Sequence, residues 1–367
     1  MIRRTFHRLT LALGAAALVG LSLVPGATAS GGAAGAVYAL TNSPAGNAVV
    51  AYQRGADGSL TPTGSFPTGG MGMAGLSSQG AVIVSDDHQL LFAVNAGSNS
   101  ISSFRIRPGG LELADTAASG GTMPISVAFF RGLLYVLNVG VPNNISGFTV
   151  DRDGGLMPLA GSARALSAAS TNPAQVGFND DGTVVIVTER ATNRIDTYTV
   201  GTGGLLTGPL VHPSAGPTPF GFAVDKRDTL FVSEAGAGGG ASSYRIGAGG
   251  SLTDISPNVM TGQSAACWAV VTKNGRYGYV ANAGTGNISG FAISQDGSAS
   301  LLDLSGVTAM TGGNPTDIAI SHDSIYLYTR VAALGAIAIF RIGSDGSLES
   351  LPSLTGTPAG LAGLTGY

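Results

Sequence analysis

Hydrophobic and polar residues alternate with a period of two through most of the chain after residue 35. Short runs of aromatic and aliphatic residues end in a polar residue, as in Tyr135–Asn138 and Phe231–Glu234. About ten residues later a second alternating run closes with an aromatic residue, such as Phe148 or Tyr244. Alternation of this length is typical of β-strands. The pattern predicts an all-β fold with no convincing helix.

The same unit recurs seven times with a period of about 48 residues. Turn sequences such as Lys273–Gly275 and Asp345–Gly346 separate the runs and divide each unit into about four short strands. Four-stranded units of this length predict a seven-bladed β-propeller, in which each sheet buries its faces against its neighbours. The polar residues that end the second strand of each unit are Asn42, Asn95, Asn138, Glu189, Glu234, Asn282 and Arg330.

Each unit also has an earlier strand, often opened by proline, as in Pro173–Phe178. The stretch from Ser77 to Val84 matches this strand only loosely. The last copy, Pro358–Gly363, has no partner after it, and the first unit begins at Tyr38 with no such strand before it. We therefore expect the C-terminal strand to complete the first blade and close the ring, because closure removes an exposed sheet edge.

The N-terminal segment has the features of a secretory signal peptide. Three arginines precede an apolar run from Leu9 to Val24, and small residues follow it up to Ala29. We predict cleavage after residue 29, a single propeller domain over residues 30–367 and secretion into the periplasm or the medium. The alternative, an uncleaved membrane anchor, requires a longer apolar stretch, so we expect no stable membrane insertion after cleavage.

Composition excludes several classes of function. Charged residues are only 11% of the chain and the net charge is -3, so there is no basic field to hold nucleic acid. A single cysteine cannot form an internal disulfide or a cysteine-based zinc cluster. His88, His212 and His322 lie in separate turns or loops without metal-ligand spacing. We expect no cofactor and no metal at the catalytic residues, and we predict a monomer whose partner is a small molecule.

The candidate site lies where the first strand of a blade begins and its second strand ends. These two points meet on one face because the strands are antiparallel. The arrangement predicts that Gln175 lies near Glu189 and Asp317 near Arg330, with Asn282 on the same rim. Propellers usually bind ligands at this mouth of the central channel.

Two acidic strand ends stand out in a chain that is poor in charge. Glu189 and Glu234 occupy equivalent positions in adjacent blades. Together they could act as acid and base, or hold a cation such as calcium, or simply accept backbone N–H bonds from their own hairpin turns. Arg190 or Arg330 could bind a substrate carboxylate. Asp317 and Arg330 are expected to form a salt bridge.

With these runs the chain resembles the lactonase-type seven-bladed propellers, which include 6-phosphogluconolactonase and carboxymuconate-lactonizing enzymes. In that family a Pro-His pair and an Asp-Leu-Gly-x-Asp sequence mark the fourth blade. The matching stretches here are Pro173–Gln175 and Glu189–Asn193, so Gln175 replaces the histidine, Glu189 keeps the first negative charge and Asn193 loses the second.

The resemblance implies hydrolysis or isomerisation of a lactone or a related cyclic acid. The catalytic residues would be Glu189 as base, Glu234 as acid and Arg190. The remaining rim residues would bind the substrate, and they are Gln175, Asp317, Arg330 and Asn282. The alternative is a non-catalytic propeller that binds a small molecule, a metal or a protein at the same rim.

Overall fold

A computed structural model describes Met1 and residues 34–367 of the chain. The predicted signal peptide falls almost wholly outside the described residues. Residues 34–367 contain no α-helix, only four short 3₁₀ turns between strands. The strands form seven antiparallel sheets, which confirms the seven-bladed β-propeller.

The strands follow one another along the chain, blade by blade. Blade 1 contains β1 (Gly35–Leu40), β2 (Ala48–Arg54) and β3 (Leu60–Pro67), and blade 2 contains β4 (Val82–Val84), β5 (Leu90–Asn95), β6 (Ser100–Arg107) and β7 (Gly110–Ala118). Blade 3 contains β8 (Pro124–Phe130), β9 (Leu133–Asn138), β10 (Asn144–Val150), β11 (Leu156–Pro158) and β12 (Arg164–Ala165). Blade 4 contains β13 (Pro173–Phe178), β14 (Val184–Glu189), β15 (Arg194–Val200) and β16 (Leu206–Pro213).

Blade 5 contains β17 (Pro219–Val224), β18 (Thr229–Glu234), β19 (Gly240–Ile246) and β20 (Leu252–Met260). Blade 6 contains β21 (Ala266–Val271), β22 (Tyr277–Asn282), β23 (Asn287–Ile293), β24 (Ala299–Leu301) and β25 (Ala309–Met310). Blade 7 contains β26 (Pro315–Ile320), β27 (Tyr326–Val331), β28 (Ala336–Ile342) and β29 (Leu348–Thr355), and the chain ends with β30 (Ala362–Gly366).

The C-terminal strand closes the ring, as the repeat pattern predicts. β30 pairs antiparallel with β1, and Val37 lies opposite Gly366 while Leu40 lies opposite Ala362. The first sheet therefore has the order β3-β2-β1-β30. The innermost strands β30, β4, β8, β13, β17, β21 and β26 each contact the next one around the axis. No blade in the described part of the chain is left without an innermost strand.

The hydrophobic core lies in the seams between blades because each second strand is buried on both faces. In β14, Val185 and Val187 pack toward blade 3, whereas Ile186 packs toward blade 5. Phe220 and Trp268 are 2% and 5% exposed and pack against each other with ring centroids 5.1 Å apart. Both rings are therefore core residues rather than an exposed stacking platform.

The propeller has two faces that are used below. The start face is where the innermost strands begin, at residues such as Pro173, Pro219 and Pro315. The turn face is where they end in hairpin turns, such as residues 179–183 and 272–276. No helix in the described part of the chain has the length and apolar character needed to cross a membrane.

Candidate functional site

The central channel is crossed by the segment Ser77–Ala81, which the sequence suggested only as a loose first strand. In the structure β4 keeps just three residues, because the segment before it leaves the sheet. Ser78 Oγ donates to the carbonyl of Ile125 in blade 3 at 2.7 Å, and the indole N–H of Trp268 in blade 6 donates to the carbonyl of Ser78 at 2.9 Å. The segment therefore spans the ring, and we call it the plug.

Gln79 anchors the plug on the far side of the axis. Its side-chain amide accepts the N–H of Ala269 at 2.9 Å and donates to the carbonyl of the same residue at 2.7 Å. Gly221 on β17 leaves room for this side chain, since a Cβ there would lie 2.1 Å from Gln79 Oε1. The plug thus lies across the central channel, between the start face and the turn face.

The strand-end asparagines have a structural role. Asn95, Asn138 and Asn282 are fully buried, and each donates its amide N–H to a serine on the third strand of its own blade. In blade 2, Asn95 Oδ1 also accepts from Thr68 Oγ1 in the preceding inter-blade link at 2.7 Å. Asn282, predicted to bind substrate, therefore lies inside a seam with both its N–H groups directed at side chains of blade 6.

Glu189 occupies the same position in blade 4 and is also fully buried. Its carboxylate accepts the backbone N–H of Ser167 at 3.0 Å and the hydroxyls of Ser167 and Thr192. The sequence suggested N–H bonds from its own hairpin turn, but the N–H comes from the link between blades 3 and 4. A carboxylate with this set of donors acts as a bridge between two blades.

Asp196 lies beside Glu189, and sequence reasoning missed it. It stands where the other blades carry the serine partner, and it is 0% exposed. Burial, followed by the nearby charge of Glu189, raises the pKa of Asp196 to about 8. At neutral pH the Asp196 carboxyl is therefore largely protonated. An alignment of the repeats could have found it, because four other blades have a serine at this position: Ser102, Ser146, Ser242 and Ser289.

Glu234 is 1% exposed and faces the seam between blades 4 and 5. Ser214 Oγ donates to its Oε1 at 2.9 Å, whereas Oε2 has no hydrogen-bond partner that meets normal geometry. Burial raises the pKa of this carboxyl to about 7. Gly216 covers it, because a Cβ there would lie 2.6 Å from Glu234 Cγ. The sheet of blade 4 separates Glu234 from Glu189, so the structure does not bring the two acids together.

Gln175 and Asp317 connect neighbouring innermost strands. Gln175 accepts the N–H of Phe222 at 2.7 Å and donates to the carbonyl of that residue at 3.0 Å. Asp317 is 2% exposed and accepts the N–H of Ile318 at 2.8 Å, while the amides of Gly363 and Leu364 on β30 also face it. Burial raises the pKa of Asp317 to about 8.

The expected salt bridge between Asp317 and Arg330 is wrong. Arg330 instead donates from Nη1 to Thr316 Oγ1 at 2.5 Å, and no carboxylate lies within 4 Å of it among the described residues. Asp317 turns toward β30, where the backbone amides satisfy part of its need for donors. Its backbone φ of +97° allows this turn away from the arginine.

Arg190 and Arg330 are the predicted site residues that keep unused donors at the start-face mouth. Arg190 donates from Nε to the carbonyl of Asn172 at 3.0 Å and from Nη2 to Asn172 Oδ1 at 2.7 Å. Its guanidinium lies 5.0 Å from the centre of the Phe220 ring. Both arginines are half-buried, and neither has an acidic partner within 4 Å in the described chain.

The mouth also contains Cys267, but the thiol of this residue is unreactive. Burial raises the pKa of this thiol to about 12, and the charge of Arg190 nearby lowers it only in part. A protonated thiol is a poor nucleophile and a poor metal ligand. Within residues 34–367 no three histidine, cysteine, aspartate or glutamate side chains converge in a way that could hold a metal ion.

A family model described as "Lactonase, 7-bladed beta-propeller" matches residues 36–167 and 214–305. These segments make up more than half of the chain. The chain belongs to the seven-bladed lactonase family. The stretches without a match include residues 168–213, which contain Gln175, Glu189 and Arg190, and residues 306–367, which contain Asp317 and Arg330.

Solved structures with the same fold include a putative 6-phosphogluconolactonase from Bacteroides fragilis, with 17% identity and a TM-score of 0.72 over 91% of this chain and 98% of that one. A second, from Bacteroides uniformis, has 18% identity and a TM-score of 0.75 over 91% and 99% of the two chains. The periplasmic gluconolactonase of Pseudomonas aeruginosa has 17% identity and a TM-score of 0.72 over 90% and 99%. A search of curated proteins found no match.

Proposed function

We propose that this protein binds an anionic small molecule of the lactone class at the start-face mouth. The ligand is a lactone that carries a carboxylate, or the hydroxy acid to which such a lactone opens. The observation that carries the proposal is the pair of half-buried guanidinium groups, Arg190 and Arg330, which have no carboxylate within 4 Å in the described chain.

The energetics of these two groups favour an anion. Burial lowers the pKa of both guanidinium groups, and at Arg330 the charge of Asp317 offsets this only in part, so each group carries a desolvation cost. A bound carboxylate would offset it with charge-assisted hydrogen bonds, for which a planar guanidinium is well suited. Asn172 and Phe220 hold Arg190 in place before a ligand arrives, which reduces the entropy that binding costs.

The plug lies across the channel below this mouth. Because Gln79 and Ser78 are bonded across the axis, a ligand enters and leaves by the start face only. Membership of the lactonase family supports a lactone or its hydroxy acid as the chemical class. The expectation of a signal peptide would place this binding outside the cytoplasm.

A second function, opening of the bound lactone, is supported by one observation. Glu234 has a pKa raised to about 7, so at neutral pH it can take a proton from the attacking water and return it to the leaving ring oxygen. Its Oε2 has no hydrogen-bond partner that meets normal geometry. The link that carries Gly216 would have to open for water and ligand to reach it, which is why binding is the primary proposal.

Calorimetric titration with a panel of aldonic and other hydroxy acids tests the binding. We expect saturable binding of at least one acid, weakened roughly tenfold or more by Arg190→Gln or by Arg330→Gln, since a charge-assisted hydrogen bond contributes about 1.5–3 kcal/mol. Arg131→Gln is the matched control, because Arg131 also stacks on a phenylalanine, 5.0 Å from the Phe130 ring, but near a hairpin turn on the turn face. Equal affinity of all variants would reject the proposal.

Hydrolysis is measured separately with a lactone panel at constant pH. If Glu234 is the base, Glu234→Gln abolishes turnover while ligand binding persists. Glu189→Gln, the change at the equivalent position in blade 4, tests the sequence-based assignment of Glu189 as catalytic. Turnover that survives both changes would exclude the two acids, and no turnover by a folded wild-type protein would leave binding as the function.

A further inference from the structure

The turn face brings together two histidines that the sequence places 234 residues apart. His88 lies in the hairpin turn of blade 2 and His322 in that of blade 7, and their ring centroids are 4.8 Å apart at 89°. Tyr367 stacks on His88 with centroids 4.3 Å apart and an angle of 14°. Closure of the ring explains the meeting, since the end of the chain follows β30 and lies between blades 2 and 7.

A third basic group joins them from blade 6. Lys273 lies in the equivalent hairpin turn, and its Nζ contacts Nε2 of His322 and lies 3.4 Å from Nδ1 of the same ring. Lys273 has no carboxylate within 4 Å in the described part of the chain. We call His88, Lys273, His322 and Tyr367 the turn-face cluster.

Three members of the cluster, His88, His322 and Tyr367, border a cavity of about 420 Å³, while Lys273 contacts the His322 ring without lining the cavity. Its other walls include Gly35, Arg54 and Asp323. Arg54 is already neutralised, since its side chain is only 4% exposed and its Nη2 lies 3.3 Å from Asp323 Oδ2. The cations available to a ligand are therefore Lys273 and whichever imidazoles are protonated.

Burial and nearby positive charges oppose protonation of His88. Burial, then the charges of His322 and Lys273, lower the pKa of His88, and Asp86 and Asp87 in its own turn only partly offset this. Asp87 Oδ1 is occupied by Ser85 Oγ at 2.6 Å and by the N–H of Gln89 at 3.1 Å. In the described part of the chain, no carboxylate lies within 4 Å of the basic nitrogens of His88, Lys273 or His322.

We propose that the turn-face cluster is a second ligand site, which binds the phosphate group of inorganic phosphate or of a phosphate monoester. A phosphate offers three oxygens to donors that converge from three blades, whereas a carboxylate offers two. The negative charge would reverse the repulsion between Lys273 and the imidazoles, so binding takes up protons. The cavity is larger than one phosphate and leaves room for the organic part of a monoester.

The site differs from the start-face mouth in position and in donors. Lys273 and His322 lie in turns at the opposite ends of the innermost strands from Arg190 and Arg330. Failure of one proposal therefore leaves the other intact.

The test is a calorimetric titration of the full protein with inorganic phosphate and with sulfate, at pH 6 and pH 8. Sulfate stays doubly charged across this range, so any change in its affinity reports protonation of the protein. We expect binding of both ions, with sulfate at least fivefold tighter at pH 6. A glucose phosphate and free glucose, titrated in parallel, show whether the organic part adds affinity, while free glucose alone should not bind.

Lys273→Met and His322→Gln are each expected to weaken phosphate binding at least tenfold. Lys226→Met is the matched control, because Lys226 is an exposed lysine at the same turn position in blade 5 without a histidine beside it. In the wild type, phosphate should raise the pKa of His88 when its ring signals are followed by NMR, a readout that needs no variant. Absence of binding, or binding that both cluster variants retain, would overturn the proposal.

Discussion

Gln79 and Ala269 lie on different sides of the propeller axis, yet the Gln79 amide makes two hydrogen bonds to the backbone of Ala269, at 2.9 and 2.7 Å. These two hydrogen bonds resemble those between paired residues of neighbouring β-strands, and they connect blade 2 to blade 6. They fix the plug across the central channel. Gly221 makes the contact sterically feasible.

The first prediction concerns that fit. Gly221→Ala places a Cβ 2.1 Å from Gln79 Oε1 and 2.8 Å from the carbonyl of Cys267, so the plug or β21 must shift. We expect a loss of about 1–3 kcal/mol in the free energy of unfolding, measured by urea titration. Gly109→Ala is the control, since a Cβ at Gly109 meets no atom within 4 Å. Equal stability of both variants would show that the plug does not occupy this space.

The second prediction concerns pH and the acid pair of blade 4. The pKa of Asp196 is raised in the folded state above its unfolded value of about 3.9, so the folded protein binds more protons between pH 4 and pH 8. Its contribution to stability is fully present below about pH 4 and is lost as pH rises through about 8. The pKa values of Glu234 and Asp317 are also raised in the folded state. We expect a higher Tm at pH 5 than at pH 8.5.

Asp196→Asn should reduce this difference, because it removes the charge that the seam disfavours while keeping an oxygen for the N–H of Ser167. Glu189→Asn with Asp196→Ser, which restores the residues of the other blades, should reduce it further. Glu349→Gln, on an exposed outer strand, should leave the difference unchanged. A wild-type Tm that rises from pH 5 to pH 8.5 would contradict the raised pKa of Asp196.

The third prediction concerns closure. Deletion of residues 355–367 removes β30, exposes the edge of β1 and loses the buried Leu361 and Leu364. Two leucines alone contribute roughly 3–6 kcal/mol, so we expect Tm to fall by at least about 10 °C. The measurement is differential scanning calorimetry of the full and shortened chains. An unchanged melting curve would mean that β30 does not stabilise the closed ring.

The repeat allowed most of the fold to be predicted, because each blade carries the same alternation. The register differs from the prediction in blade 7, where Val331 rather than Arg330 lies opposite the start of the innermost strand, as Glu189 does in blade 4. The repeat predicted that β30 pairs with β1, since only that strand lacked a partner. It did not predict the plug, because Ser77–Ala81 departs from the repeat and its partners, such as Ala269, are 190 residues away. A loose match to a repeat thus marked a segment with a different role.

The candidate site was predicted less well. The position of a side chain in the repeat indicates its face, but it does not show whether a neighbouring link covers it, as Gly216 covers Glu234. The sequence predicted a salt bridge between Asp317 and Arg330 because their strand ends are neighbours. In the structure the carboxyl of Asp317 faces the backbone amides of β30 instead. The contact between the two histidines of the turn-face cluster was not predicted, because only ring closure brings their turns together.

The most direct test of the arginine mouth compares one hydroxy acid with its methyl ester, which differs in charge but hardly in shape. Dissociation constants are measured by calorimetry for the wild-type protein and for the double variant Arg190→Gln/Arg330→Gln. We predict that the wild type binds the acid at least tenfold more tightly than the ester and that the double variant loses this preference. Equal affinity of the wild type for acid and ester would contradict the account.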